Sequence, residues 1–491
     1  MQERQSQILV GLDIGTSGVR ALAFTLAGTC IAEGRAAFAT NYGGAGRAEQ
    51  NPDDWWRASL AVLRDISARL DADARQVAGI GLTGQCPTFA CLLPSGVATG
   101  PGLLYQDNRA SDETRFLIDQ FGALNIHLRT GQAPSPFYIL PKLLWLKEHQ
   151  RDWPGAGVAV VQPRDLVGWR MTGRLATDPT HAACTLAYDL TTGAWDTNWL
   201  NALGLEALVW PEILPSCSIQ GYLTAEAASL TGLSEGTPVI VGAADSICAA
   251  YGAQAIGAGV LCEVTGTSTC LHLTVEQPVP AYAVNTYPHI ESGKWCAEVG
   301  LNTTGAALAW LSSLMKSSLE ELLQQAASVE PGAAGLLFLP HLSGGERDEP
   351  GRCGAFVGLQ LGHSPAHIAR ATLEGIAYAL RQRVGLLEVS GCPVARVVSC
   401  GGASRSALWT RIKADILGIP VGPAVPIDTT AWGAALLVAR TLEIPVASSS
   451  LSYSVFAPSP TNAEAYLACY ERFCRLEALF MYQDNAEQAV I

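Results

Sequence analysis

An aspartate and a compact set of small, polar and cationic residues near the start of the chain could bind a phosphate. These residues are Asp13, Gly15, Thr16, Ser17, Gly18 and Arg20. The two glycines permit positive φ, so successive N–H groups of the turn can point at one anion, and the hydroxyls and the guanidinium add donors. The carboxylate beside them is suited to a metal-bound polyphosphate. An ordinary hairpin whose aspartate caps its own turn is the alternative.

A second set of such residues begins half a chain later. An apolar run starting at Pro238 ends in Asp245, and residues 259–274 repeat the strand–turn–strand pattern of the first hairpin, with Gly266 and Thr267 in the turn. This internal echo predicts two related domains that each present a phosphate-binding turn to one cleft. Asp245 could instead be a helix cap at the end of its strand.

The elements that position these residues alternate between strands and helices, which predicts an α/β core. In such sheets ligands bind beyond the carboxyl ends of the strands. The apolar runs 77–84 and 103–105 end in polar turns of this kind. The segment 176–189 is rich in small polar residues, and its pattern fits either a lid or a wall of a substrate site.

Composition limits the possible functions. The chain has 491 residues, which predicts about two large domains. The net charge of −13, without any basic run, argues against a nucleic-acid surface. The 14 cysteines form no Cys-x-x-Cys pair and indicate a reducing cytoplasm. No apolar signal core or membrane span is recognisable, so a cytoplasmic protein is expected.

Collinear motifs along nearly the whole chain resemble the FGGY family of carbohydrate kinases. The motifs are Gly11–Arg20, Glu49–Trp55, Tyr138–His149, Gly354–Gly358 followed by His367–Glu374, Gly401–Ala403 with Trp409 and Asp415, and Phe456 with Tyr466 and Tyr470. The resemblance implies two duplicated α/β domains of the actin/hexokinase/Hsp70-like (RNase H-like) ATPase fold with an interdomain catalytic cleft. It places the sugar-binding N-terminal domain at residues 1–246 and the nucleotide-binding C-terminal domain at 247–491.

The resemblance also implies a role for each matching residue. Asp245 corresponds to the general base that accepts the proton of the sugar hydroxyl, and Asp13 to the aspartate that holds Mg²⁺ through water. The expected contacts to ATP come from Gly15, Thr16, Ser17 and Arg20 on one side and from Gly266, Thr267, Gly305, Gly402, Ala403 and Ser406 on the other. The helix start at Gly305 is also explained by ordinary capping.

Substrate choice rests on residues that touch sugar hydroxyls in the family. They are Gln85, Cys86, Pro87, Tyr105 and Asp107, together with Asp245. Xylulokinases usually carry His where this chain has Pro87 and Trp where it has Tyr105, so another ketose or a polyol is an open alternative. Glycerol kinases show an Arg-Glu pair that is absent here. D-xylulose is therefore the first choice, with ribulose, erythritol and glycerol-like substrates as alternatives.

The prediction is an ATP- and Mg²⁺-dependent sugar kinase with a small-molecule sugar or polyol substrate. A catalytically silent sugar-binding regulator is the alternative from another class, and the presence of both Asp13 and Asp245 argues against it. A Rossmann dehydrogenase is excluded because no Gly-x-Gly-x-x-Gly with a following acidic residue is present. We expect no nucleic-acid or membrane partner, and the oligomeric state stays open, with a homodimer as one option.

Overall fold

The fold is described from a computed structural model, which covers residues 7–44, 46–71, 76–150, 155–346, 351–424, 428–447 and 455–480. The chain forms two compact units. Unit 1 comprises Met1–Gly252, Glu276–Cys296 and Asp428–Ser450, and unit 2 comprises Ala253–Val275, Ala297–Ile427 and Leu451–Ile491. The predicted domain boundary at residues 246/247 divides the sequence into two continuous parts, whereas each compact unit is built from three separate segments of the chain.

The strands, in chain order, are β1 Ile8–Ile14, β2 Gly18–Thr25, β3 Cys30–Ala37, β4 Asn41–Gly43, β5 Arg47–Gln50, β6 Val77–Gly84, β7 Ala90–Leu92, β8 Gly102–Leu103, β9 Ala159–Val161, β10 Ala176–Thr177, β11 Tyr188–Asp189, β12 Ala194–Trp195, β13 Glu212–Ile213, β14 Ile219–Tyr222, β15 Pro238–Ala244, β16 Val260–Thr265, β17 Thr269–Val275, β18 Asn285–Pro288, β19 Trp295–Leu301, β20 Leu337–Leu339, β21 Ala355–Val357, β22 Arg396–Cys400 and β23 Val421–Pro423.

The helices are α1 Pro52–Leu70, α2 Ser111–Phe121, α3 Ala123–Thr130, α4 Ile139–His149, α5 Pro163–Thr172, α6 Pro179–Ala183, α7 Thr197–Ala202, α8 Ala225–Thr231, α9 Asp245–Gly252, α10 Gly305–Met315, α11 Leu319–Ala327, α12 Pro365–Val389, α13 Ala407–Leu417, α14 Thr429–Thr441 and α15 Pro460–Glu477. Across the described residues, none of these helices combines the length and apolar character needed to cross a membrane.

Unit 1 is built around a six-stranded sheet with the order β14-β15-β6-β1-β2-β3. The β1–β2 hairpin is antiparallel, and β6 runs parallel to β1 on its other side. Every residue of β1 is buried, because helices cover both faces of the sheet, with α1 on one side and α14 on the other. This explains why β1 is an almost continuous apolar run with one carboxylate in it.

Helix α14 lies in the sequence between two segments of unit 2, Ala297–Ile427 and Leu451–Ile491, and yet belongs to unit 1. It packs closely on the sheet and on α9, and small residues make this possible. A Cβ on Gly11 of β1 would lie 2.0 Å from the Ala431 carbonyl oxygen, and one on Gly433 would lie 1.9 Å from that of Cys248. Gly11, the first glycine of the motif Gly11–Arg20, is therefore needed for helix packing rather than for ligand binding.

Unit 2 contains the second hairpin, β16–β17, which is antiparallel. Within this unit the strands run in the order β19-β17-β16-β22-β23, with β22 parallel to β16 and β23 parallel to β22. The order β3-β2-β1-β6-β15 in unit 1 has the same connectivity. In each unit, the first strand of an antiparallel hairpin is followed in the sheet by two strands that run parallel to it. The prediction of two duplicated α/β domains is confirmed.

Candidate active site

Two carboxylates lie at the same edge of the unit 1 sheet because three of its strands are parallel. Asp13 of β1 is aligned with Thr83 of β6, and Thr83 is aligned with Ala243 of β15. With neighbouring strands about 4.8 Å apart, the backbones of β1 and β15 are separated by about 10 Å. Asp245 follows the last residue of β15, so it lies beyond the carboxyl end of its strand, where open α/β sheets place their ligands.

Asp13 is held by an arginine that bridges two carboxylates. The Arg20 guanidinium donates to Asp13 Oδ2 at 2.7 Å and to Asp428 Oδ2 at 2.7 Å. Asp428 is also the N-cap of α14, where its side chain accepts from the Ala431 N–H. The C-terminal helix of unit 1 therefore takes part in fixing the charge at the end of β1. The side chains of Asp13, Arg20 and Asp428 carry a net charge of −1.

The second oxygen of Asp13 has no hydrogen-bond partner within the described part of the chain. Asp13 is only 3% exposed, and burial raises the pKa of its carboxyl, an effect that the Arg20 guanidinium opposes only in part. A buried carboxylate oxygen without a donor and a local charge of −1 fit a hard divalent cation such as Mg²⁺. Asp13 would hold that cation, directly or through water.

The first turn has a different backbone from the one expected. The Gly15 N–H donates to the Gly18 carbonyl at 3.0 Å and closes the turn, and Gly15 does not adopt positive φ. Gly18 is close to extended, and its glycine is required because a Cβ would lie 2.4 Å from the Ala36 carbonyl oxygen. The expected positive φ at Gly15 is therefore wrong. Ser17 is exposed and Thr16 half-buried at the tip of this turn.

A bulge in β15, the strand that precedes Asp245, sets the direction of the Asp245 side chain. The pairing of β15 with β6 shifts between Ile240 and Ala243, so that two residues of β15 oppose one of β6. Gly242 in the bulge has φ of +78°, and a Cβ there would lie 1.6 Å from the Leu82 carbonyl oxygen. The extra residue changes the face on which later side chains emerge. Asp245 is half-buried, and its Oδ1 accepts from the Ser246 N–H at 2.7 Å.

A buried polar network fixes the residue immediately before Asp245. The Ala244 N–H donates to Thr180 Oγ1 at 2.8 Å, and that hydroxyl donates to Asp178 Oδ2 at 2.7 Å. His181 Nδ1 lies 2.6 Å from the other oxygen of Asp178. The segment 176–189, which the sequence left as either a lid or a substrate wall, is thus largely buried and braces the end of β15.

The charge of Asp178 is maintained by its neighbours. Burial acts to raise the pKa of this carboxyl, but His181, Arg164 and Thr180 outweigh it and lower the pKa to about 2. Arg164 is fully buried, donates to the Val241 carbonyl of the bulge at 2.5 Å and also binds Asp165. The bulge and the strand end are therefore held by one charged network.

Gln85 begins the polar turn after β6, beside the end of β1. Its N–H donates to the Ile14 carbonyl at 2.9 Å, and its side-chain amide donates to Gln50 Oε1 at 3.1 Å and accepts from Thr88. Gln50 in turn donates to the Thr16 carbonyl at 2.7 Å. An amide network therefore links the predicted sugar turn to the predicted phosphate turn within unit 1.

Asp107 lies in a second polar turn of unit 1, and both oxygens of its carboxylate accept hydrogen bonds from protein groups. It accepts from the Ala48 N–H at 2.8 Å and from the backbone and guanidinium of Arg109. Four donors occupy the acceptor positions of a carboxylate, and Asp107 is 0% exposed. In this conformation Asp107 orients Arg109, which also binds Glu49 at 2.5 Å. A direct contact of Asp107 with sugar stays a prediction.

The remaining predicted sugar residues differ in exposure. Pro87 is buried, whereas Cys86 and Tyr105 are half-buried. The Cys86 sulfur lies 3.5 Å from the buried Cys184 sulfur, and the Tyr105 ring packs on Phe137 at 5.6 Å. Cys86 and Tyr105 can therefore offer a partly apolar surface to a ligand.

In unit 2 the second turn packs on the start of α10. A Cβ on Gly305 would lie 2.0 Å from the Gly266 carbonyl oxygen, and the Ala306 N–H donates to the Thr267 carbonyl at 2.9 Å. The hydroxyls of Thr265, Thr269 and Thr304 form a chain of hydrogen bonds beneath the turn. Gly266, Thr267 and Gly305 are thus brought together, and their contact with phosphate stays a prediction.

The predicted adenosine residues follow β22 in the same unit. Gly402 is exposed and opens a 3₁₀ turn, Gly402–Arg405, that includes Ala403. Ser406 is the N-cap of α13, where its side chain accepts from the Trp409 N–H at 3.2 Å. This capping bond accounts for Ser406 without a ligand, so its contact with adenosine stays a prediction.

The sequence analysis assigned no individual role to several residues that position the site. They are Gln50, Arg164, Asp178, Thr180, His181 and Asp428. The Asp178-Pro-Thr180 sequence is a helix-start signal that could have marked the bracing segment, because Asp178 caps α6. Nothing local links Asp428 to Arg20, which lies 408 residues earlier.

Comparisons with known proteins cover both sequence halves. The model of the FGGY family of carbohydrate kinases, N-terminal domain, matches residues 8–252, and that of the C-terminal domain matches 262–442. Xylulose kinase of Bacillus subtilis is 28% identical over 478 residues, 95% of each chain. Glycerol kinase of Gloeobacter violaceus is 31% identical over 445 residues, covering 88% of this chain and 87% of that protein. The crystal structure of xylulose kinase from Rhodospirillum rubrum has a TM-score of 0.86 and 29% identity, covering 96% of this chain and 99% of that one.

Proposed function

Because this chain belongs to the FGGY family of carbohydrate kinases, we propose that it transfers the γ-phosphate of MgATP to a primary hydroxyl of D-xylulose. The observation that carries the proposal is the position of Asp13 and Asp245 at the carboxyl edge of one sheet. The chain is a carbohydrate kinase, and the relatives named xylulose kinase support the choice of a ketopentose.

Asp245 acts as the general base in this proposal. Its carboxylate accepts the proton of the sugar hydroxyl as the hydroxyl oxygen attacks the γ-phosphorus. The Ser246 N–H and the bulge at Gly242 fix the direction of the carboxylate, so the base is oriented before the substrate arrives. Positioning of this kind supplies much of the rate enhancement in phosphoryl transfer.

Asp13 and the two turns hold the nucleotide in this proposal. Asp13 would hold Mg²⁺, which when bound neutralises charge on the phosphate oxygens. Arg20 keeps the Asp13 carboxylate in place, and the turns at Thr16 and at Thr267 offer N–H and hydroxyl donors to phosphates. Gly402 and Ala403 border the adenosine. A homodimer and a cytoplasmic location stay predictions from the sequence.

A polyol kinase is the second candidate function, because a glycerol kinase is 31% identical over most of the chain. The residues that would decide between the two are Gln85, Cys86, Pro87 and Tyr105. The half-buried Cys86 and Tyr105 provide apolar contact with a carbon chain, which a five-carbon ketose uses more fully than glycerol does.

The test is release of ADP from MgATP in the presence of D-xylulose, L-xylulose, both ribuloses, erythritol and glycerol. We expect the largest kcat/KM for D-xylulose. The variant Asp245→Asn should lose about 10²–10⁴-fold in kcat, the usual contribution of a positioned base, while its affinity for ATP is kept. Turnover of D-xylulose by that variant at the wild-type rate would refute the assignment of the base, and a higher kcat/KM for glycerol would favour the polyol kinase.

A further inference from the structure

Three side chains with metal-binding groups converge on one face of the unit 2 sheet, apart from every residue assigned above. Cys270 and His272 are two residues apart on β17, so they emerge on the same face. Glu298 lies on β19, the neighbouring strand. The Cys270 sulfur, an imidazole nitrogen and a carboxylate oxygen all lie within 4.8 Å of one another. We propose that Cys270, His272 and Glu298 form a binding site for Zn²⁺.

The spacing of the donor atoms fits one ion. His272 Nε2 lies 3.6 Å from Glu298 Oε2, which is longer than the 2.7–3.2 Å of an N–H···O hydrogen bond. Zinc bonds of about 2.0–2.3 Å in a tetrahedral arrangement separate neighbouring ligand atoms by about 3.3–3.6 Å. The nitrogen and the oxygen are therefore already at the separation that a shared Zn²⁺ needs, and small side-chain movements would bring in the sulfur.

The chemistry of the three donors also fits zinc. Thiolate, imidazole and carboxylate are its usual protein ligands, and a set of three leaves the fourth position for water. Binding converts the Cys270 thiol to a thiolate and releases one proton to solvent. The charges of Zn²⁺, the thiolate and the Glu298 carboxylate then sum to zero around a neutral imidazole, which reduces the cost of burying the ion.

The burial of the cluster suits an ion with an entry path. His272 is 2% and Glu298 7% exposed, whereas Cys270 is half-buried. A metal ion can reach the cluster from the side of Cys270.

The test is Co²⁺ titration of the full chain after treatment with a chelator, without nucleotide or Mg²⁺. We expect about one equivalent bound, with the thiolate-to-cobalt absorption of a cysteine ligand and displacement by Zn²⁺. The variant Cys270→Ser should lose that absorption, and Glu298→Gln, which keeps the shape of the side chain, should bind at least about 10-fold more weakly. Cys469→Ser, a half-buried cysteine of unit 2 outside the cluster, is the matched control and should behave as wild type.

Two results would overturn the proposal. One is wild-type protein that shows no thiolate-to-cobalt absorption at saturating Co²⁺. The other is a Cys270→Ser protein that keeps both the absorption and the affinity, because the thiolate would then come from elsewhere. A thermal melt of each variant separates loss of metal from loss of fold, since bound metal raises the melting temperature of wild type and of Cys469→Ser but not of Cys270→Ser.

Discussion

Replacing Thr180 by valine should weaken both the fold and catalysis by freeing the residue that precedes Asp245. Valine keeps the branched shape and removes one hydroxyl. That hydroxyl accepts from the Ala244 N–H at 2.8 Å and donates to the ionised Asp178 at 2.7 Å, and Thr180 is 0% exposed. An unpaired buried N–H costs about 1–3 kcal/mol, and a lost hydrogen bond to a charged group about 1.5–3 kcal/mol. The expected loss of stability is therefore about 2.5–6 kcal/mol.

The assay compares Thr180→Val with Thr180→Ser, which keeps the hydroxyl and removes one methyl group. Urea unfolding should show a large shift of the midpoint for valine and a small one for serine. If Asp245 is the base, kcat with D-xylulose should fall about 10–100-fold for valine, since a displacement near 1 Å has effects of that size. The KM for MgATP should change little, because the hydroxyl braces β15 and not the phosphate turns.

Equal urea midpoints for the two variants would refute the assigned hydrogen bonds. A destabilised valine variant that keeps the kcat of the serine variant would refute the positioning of Asp245 through Ala244. The two readouts thus separate the structural claim from the catalytic one.

Two further predictions concern buried cations. Lys142 is fully buried with its ammonium donating to the Leu104 and Phe137 carbonyls, and burial, reinforced by Arg109 and opposed by Asp107, lowers its pKa to about 7. Between pH of about 7 and 10, Lys142 is therefore protonated in the unfolded chain but not in the folded one. The free energy of unfolding of wild type should rise with pH relative to that of Lys142→Met, by up to about 1.4 kcal/mol per pH unit. Urea unfolding at pH 7, 8 and 9 measures this, and an equal pH dependence of the two proteins would contradict it. In unit 2, Lys413 lies 2.6 Å from Glu263 with both side chains buried. Lys413→Met should destabilise by about 3–5 kcal/mol, while the double variant with Glu263→Leu should recover most of this loss in thermal unfolding, and a double variant no more stable than the single one would contradict the pairing.

The hairpins and their turns were predictable because their signals are local. Strand residues on both sides of Gly15–Gly18 and of Gly266–Ser268 indicate two strands and a tight turn without reference to the rest of the chain. The repeat of this pattern predicted duplicated domains, and the two sheets have matching connectivity. The expected positive φ at Gly15 was wrong because the sequence does not show which N–H closes the turn.

The positions of the charged groups were less predictable because they depend on distant chain segments. Asp428 reaches Arg20 only because the chain returns to unit 1 at α14, after the unit 2 segment Ala297–Ile427. Asp107 accepts four hydrogen bonds from Ala48 and Arg109, and the local sequence pattern shows only the Arg109 partner nearby. Whether a carboxylate faces a ligand or a protein donor is decided by neighbours that the linear pattern does not contain.

The sequence by itself determined which residues can do chemistry and the strands at whose ends they lie. An aspartate within or after a buried apolar run marks Asp13 and Asp245, since burial excludes charge unless it has a use or a partner. Only the tertiary structure decided their orientation. The bulge at Gly242, the Arg164 contact to it and the brace from Thr180 to Ala244 join segments more than 60 residues apart, and hydrogen bonds at such distances form only when packing has brought the segments together.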